Sequence, residues 1–257
     1  MALEFLGSPP TLSGALTLIC EPPTEPLAGL FGFAESVRLI NCTGPFFDRE
    51  GDRRYRIDRS KLAYWVRSKS PSVAATEYPS VLRLVSFYDV VSLRMVAILR
   101  SRGVTLRQIR ATEHWLRQTF GYRWPFATRP VWTLGHLVFV RFGEYLVEAS
   151  SSGQNGMEFL SSWLRGVDID LDFDTQDLAC LWRPHTDVTI DPHVQFGEAC
   201  VAGTRVTTRS ILNKVRAGDT VRIVGRMHDL STHQVENAIQ WEERLAHCSS
   251  GPILPAR

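Results

Sequence analysis

Hydrophobic positions recur at helical spacing in several separate stretches of the chain. Phe87, Val91, Met95 and Ile98 lie three or four residues apart, and Leu106, Ile109, Leu116 and Phe120 repeat the pattern after a break. Both stretches are therefore expected to be amphipathic helices. Gly103 closes the first, and Thr105 caps the second, with Gln108 three residues later completing a capping box that satisfies free backbone donors of the opening turn. Shorter helices are expected over residues 32–39 and 59–69, separated by the turn-rich "TGPFFDREGDRRY".

A period of two appears further on. Residues 136–149 read as two short strands turning near Gly143, residues 150–156 as a flexible connector, and residues 157–164 as a short helix. Then Ile169, Leu171 and Phe173 alternate with Asp168, Asp170, Asp172 and Asp174, which predicts a strand with one apolar and one acidic face. "LACLWRP" is its expected hairpin partner, with "DTQD" as the turn. The acidic comb does not make a calcium loop, because the required Gly and Glu positions, counted from Asp168, hold Phe173 and Ala179.

Three helical patterns close the chain. Ile211, Leu212 and Val215 mark one that ends at Gly218; Asp219 is the expected cap of the next, where Val221, Val224 and Met227 recur. Ser231 and Gln234 form a capping box for the last, whose buried face is expected to carry Val235, Ala238, Ile239 and Leu245. The joint "HDLS" is short, so the last two helices should cross steeply, as in a helix-turn-helix. Thr232, His233, Glu236, Asn237 and Gln240 fall on the outer face of the last helix, either as a solvated surface or as donors and acceptors toward nucleic acid. Ahead of these helices, "VAGTRVTT" reads as a strand and corner. Gly203 supplies backbone freedom there, and Arg205 is expected to tie down carboxylates or helix-end carbonyls, with a phosphate contact as the alternative.

Composition changes this picture only through charge. The net charge of +2 is bland, but residues 94–123 carry seven Arg against the single acid Glu113, whereas residues 144–191 carry ten acids against Arg165 and Arg183. A basic stretch of that kind is either a solvated helix face or an electrostatic footprint for phosphates. The five cysteines, Cys20, Cys42, Cys180, Cys200 and Cys248, form no metal-type pair and suggest a reducing, cytoplasmic setting. Charges interrupt every long apolar run, so no membrane span is expected, and no motif for an enzyme, a metal or a cofactor stands out.

The stretch "TIDPHVQFGEACVAGTRVTTRSILNKVRAGDTVRIVGRMHDLSTHQVENAI" resembles the trihelical, homeodomain-like domain of unknown function found in antitoxins of bacterial toxin-antitoxin pairs. The match is carried by Asp191, Pro192, Phe196, Gly197, Gly203, Thr204, Arg205, Ala217, Gly218, Leu230 and Ser231, while Ala199 and Thr207 stand where that family usually has prolines. Upstream, "LAYWVRS" and "LVSFYDVVSLRMVAILRSRGVTLRQIRA" resemble the recognition helix and following segment of a MerR-like winged helix-turn-helix.

These resemblances imply an α+β, mainly α protein. A flexible arm (1–27) precedes a winged helix-turn-helix domain (28–149), a linker with a short helix and β-hairpin (150–184), a homeodomain-like antitoxin domain (185–247) and a tail (248–257). They imply a VapB-type antitoxin, without catalytic chemistry of its own, that neutralises a PIN-domain ribonuclease toxin and represses its own operon, as a homodimer or a larger assembly with the toxin. Operator DNA would then be read by Ser60, Lys61, Tyr64 and Arg67, with Arg94, Arg107 and Arg110 on phosphates. Arg205, Arg209, Thr232, His233 and Asn237 are expected to form a second surface for DNA or a partner, and Arg244 or Arg257 to reach the toxin. The alternative is a stand-alone MerR-like regulator with a C-terminal dimerisation or sensor domain.

Overall fold

The computed structural model describes residues 29–44, 55–67, 83–132 and 170–249. The expected hairpin over 136–149, connector over 150–156 and helix over 157–164 lie outside these residues, as do both termini. Within them the chain is α+β and mainly helical, with two small sheets.

Two strand-helix units open the described fold. Strand β1 (Leu30–Gly32) runs straight into helix α1 (Phe33–Cys42), and β2 (Leu84–Ser86) runs straight into α3 (Phe87–Ser101). The strands pair antiparallel, Leu30 opposite Ser86 and Gly32 opposite Leu84, so the two helices start side by side. Ser86 turns strand into helix by a reciprocal cap: its Oγ accepts from the Asp89 amide at 3.1 Å while Asp89 Oδ2 accepts from the Ser86 amide at 3.0 Å. α3 is buried nearly all round, its Asp89 and Arg94 included. Helix α2 (Arg59–Arg67) leans on α1, and α4 (Leu106–Phe120) follows α3 with the expected Thr105 and Gln108 box, ending at the left-handed Gly121.

The second sheet is an antiparallel meander in the order β3 (Leu171–Phe173), β4 (Ala179–His185), β5 (Val188–Ile190), β6 (Cys200–Val201). The alternating Asp segment does form a strand, and residues 174–177 do turn it into β4. Between β5 and β6, Gln195, Phe196 and Gly197 all take positive φ, and the Phe196 ring is 82 % exposed. Gly197 is required at this corner because an added Cβ would lie 2.8 Å from the Phe31 ring. The octet after β6 makes the expected corner, with Gly203 at φ +77° and Thr207 capping α5 (Thr208–Arg216).

Helices α6 (Val221–His228) and α7 (Thr232–Ser249) follow as the last of the described elements. Thr220, not Asp219, caps α6: its hydroxyl accepts the Ile223 amide at 3.3 Å, which leaves Asp219 in the preceding turn. Ser231 and Gln234 form their box as expected. α7 packs on α1, α5, α6, β5 and β6. Its Trp241 is fully buried in the larger hydrophobic cluster, together with Phe31, Leu39 and Ile40 of the first strand-helix unit and Val188 and Ile190 of the meander. Val201, Ile211, Val224, Leu230, Val235 and Ala238 form a second, smaller cluster inside the helical trio. Burying an indole removes roughly 200 Å² from water, so Trp241 is a major tie between the end of the fold and its beginning.

Candidate nucleic-acid interface

The outward face of α2 follows from its inward one. Leu62, Trp65 and Val66 are buried, so Ser60, Lys61 and Tyr64 point to solvent, with Tyr64 58 % exposed. Asp58 opens the helix, its Oδ1 accepting the Lys61 amide at 2.7 Å. Asn41 of α1 holds the approach: its Nδ2 donates to the Ile57 carbonyl at 2.9 Å and its Oδ1 accepts the Ile57 amide at 3.0 Å. That two-way amide clamp fixes the direction in which α2 leaves the core, a role that sequence reading missed because the partners are 16 residues apart.

Cations and rings alternate on this face. Lys61 Nζ lies 5.4 Å from the centre of the Tyr55 ring and donates to the Arg56 carbonyl at 3.3 Å. Arg110 reaches over from α4, its guanidinium 5.6 Å from the centre of the Tyr64 ring. Its Nε and Nη2 are shielded from solvent and meet no hydrogen-bond acceptor among the described residues. Arg107, exposed one turn earlier on α4, falls on the same side. Arg67 ends α2, and its side chain lies outside the described residues. Burial raises the Tyr55 phenol above its usual range, against the pull of Arg100, so the ring beneath Lys61 is neutral.

Arg94 does not belong to this surface. It is 4 % exposed, and its Nη1 and Nη2 donate to Asp170 Oδ1 and Oδ2 at 2.6 and 2.9 Å. Its guanidinium lies between the rings of Trp132 and Trp182, 5.2 and 5.1 Å from their centres, and Trp182 Nε1 donates to the same carboxylate at 2.8 Å. The expectation of a phosphate contact is corrected: Arg94 sits on the central helix, and Asp170 at the start of β3 neutralises it inside the fold.

The second expected surface also divides. Asn237 is 6 % exposed and donates to Asp187 Oδ2 at 2.8 Å, and His233 Nδ1 lies 3.3 Å from that same oxygen. Asn237 is thus turned inward to fasten α7 to the β4–β5 turn, where Asp187 takes φ +57°. Thr232 is exposed, and so is Arg205, which forms no ion pair among the described residues; the expected tie through its side chain is replaced by its carbonyl, which accepts from Gln195 Nε2 at 3.1 Å. Arg209 lines a cleft between α1 and α5 and faces Glu35, whose carboxyl is raised by burial and drawn back by Arg209 and Arg38. Met227, expected on the buried side of α6, is 57 % exposed beside Ile223, while Val224 and Gly225 face inward.

Residues 188–241 match a family model. It is the model of a protein of unknown function, DUF433. The DUF433 match begins at β5, includes β6, α5 and α6, and stops at Trp241 within α7. The fold is similar to the crystal structure of Rv2018 from Mycobacterium tuberculosis, with a TM-score of 0.60 at 21 % identity, covering 84 % of this chain and 98 % of that one. No curated protein matches the chain. The stretch similar to the DUF433 model thus takes in the corner and most of the helical trio, and the α2–α4 face lies outside it. No helix among the described residues is long and apolar enough to cross a membrane.

Proposed function

We propose that this protein is a DNA-binding antitoxin of the cytoplasm: a MerR-like N-terminal half that reads operator DNA with α2, joined to a homeodomain-like DUF433 domain. The observation that carries the DNA reading is the outward face of α2, where Ser60, Lys61 and Tyr64 stand exposed and the Arg110 guanidinium lies over the Tyr64 ring. A flat ring beside a guanidinium suits both phosphate backbone and base edges. Arg107 extends the cationic track along α4. Arg67 belongs to the same reading through its place at the end of α2. Such helix-in-groove readers work as dimers on paired half-sites, and the protein is expected to do so.

The antitoxin half of the proposal rests on the resemblance of the DUF433 segment to toxin-antitoxin proteins. Its partner is a PIN-domain ribonuclease encoded beside it, which it blocks sterically, with no chemistry or cofactor of its own. Co-expression of the tagged chain with its adjacent gene tests this: a stoichiometric partner whose ribonuclease activity emerges after separation supports the antitoxin. If no partner elutes and the chain alone binds its promoter in a salt-dependent way, it is instead a stand-alone regulator. Tyr64→Ala and Arg110→Ala serve as DNA-side variants, and unchanged promoter affinity for both over a salt series would remove α2 from the interface.

A further inference from the structure

Helix α6 has two unlike faces. Val224 is fully buried, and Gly225 is pressed against the turn into α7, where an added Cβ would lie 2.8 Å from the Leu230 carbonyl oxygen. Ile223 and Met227, one turn apart on the opposite side, are 44 % and 57 % exposed. Arg222 and Arg226 stand exposed beside them. The helix itself contains no acid; Asp219 and Asp229 lie beyond its two ends. Residues 208–229 as a whole hold five cations, Arg209, Lys214, Arg216, Arg222 and Arg226, against those two acids.

An apolar pair rimmed by guanidinium groups has the anatomy of a protein-protein contact, in which Met and Arg are enriched around a desolvated centre. Nucleic acid fits less well, because phosphates would engage the arginines and leave Ile223 and Met227 without an apolar counterpart. A second copy of this chain fits less well too. A two-fold contact would bring the same patch from both subunits together and set Arg222 and Arg226 against their own images. We propose that the outer face of α6 docks a different protein, one whose contacting surface is an apolar socket rimmed by carboxylates. The inference rests on the antitoxin reading, which supplies that protein: the nuclease encoded beside this chain.

The experiment measures the dissociation constant of that nuclease for the full chain and for three variants, with promoter binding followed in parallel. Ile223→Ser with Met227→Ser is expected to raise Kd about 100-fold. Arg222→Glu with Arg226→Glu is expected to raise it at least as far and to flatten its dependence on salt. Met227→Leu, which keeps the apolar surface, should stay within about threefold. Thermal melts control for folding, and since all four positions are exposed, the melting temperature should not move. Unchanged nuclease binding by both double variants overturns the α6 surface while leaving the antitoxin reading in place. Loss of promoter binding instead of nuclease binding overturns it in favour of a nucleic-acid surface. No complex with the unaltered chain overturns both the α6 surface and the antitoxin reading.

Discussion

Arg94 and Arg110 both lie in the basic stretch between residues 94 and 123, and both place a guanidinium on aromatic rings, yet they belong to different parts of the molecule's physics. Arg94, between Trp132 and Trp182, has the carboxylate of Asp170 across from it and is sealed in the core. Arg110, over Tyr64, has no carboxylate partner among the described residues, and two of its nitrogens meet no acceptor there. A stacked arginine that meets its counter-ion is part of the framework, and one that does not keeps an unneutralised charge. Arg117 stands between the two, half-exposed and 2.6 Å from the buried carboxylate of Glu113 on the preceding turn.

The largest effect should come from breaking the sealed pair. Asp170→Ala leaves the Arg94 charge buried without a partner and is expected to cost about 3–5 kcal/mol, read from urea denaturation. A loss below about 1 kcal/mol would mean that Arg94 escapes to water, and would erase the distinction from Arg110.

The intermediate pair should show itself through pH. Burial pushes the Glu113 carboxyl up to about 7, with Arg117 pulling the other way, from an ordinary value of 4.5. The folded chain then holds this proton more tightly than the unfolded chain does. Stability from this group is therefore greatest below pH 4.5 and is lost as pH rises toward 7, by on the order of 2 kcal/mol. Asp89, also raised by burial, adds to the slope in the same direction. Glu113→Gln should flatten most of that slope in melts taken from pH 5 to 8, and an unaltered slope would show that Glu113 is ionised throughout.

Trp182→Phe keeps most of the ring under Arg94 but removes the Nε1 donor to Asp170. It should cost about 1–2 kcal/mol by the same denaturation measurement. The smallest stability change belongs to Arg110→Ala, within about 0.5 kcal/mol, while its promoter affinity falls and its salt slope shrinks by about one contact. If that variant instead melts like Asp170→Ala, Arg110 is framework after all.

The parts of this fold that were legible in the sequence are those whose partners are close along the chain. Thr105 with Gln108 and Ser231 with Gln234 close their boxes over three residues, and the alternating Asp segment announces β3 and its turn without reference to anything distant. The outward set Ser60, Lys61 and Tyr64 is likewise implied by a single amphipathic helix. Arg94 and Asp170 are 76 residues apart, and Asn237 and Asp187 are 50 apart, so nothing local tells that these polar groups turn inward. Met227 misled for another reason: spacing of three places it near Val224, but Gly225, drawn against Leu230, rotates the helix so that Met227 joins Ile223 outside. The inward turn of Gly225 has no signature in hydrophobic periodicity, because a glycine counts for nothing in it.

Trp241 carries a consequence in time as well as in space. The cluster it is buried in includes the first strand and helix of the described fold, and α7 packs on α1 although it follows every other described element in chain order. During translation α1 through α4 leave the ribosome with one wall of their core missing, and that wall arrives only with α7. Until then the apolar surface of Phe31, Leu39 and Ile40 waits uncovered, which makes the nascent N-terminal half a client for whatever shields hydrophobic surface on emerging chains.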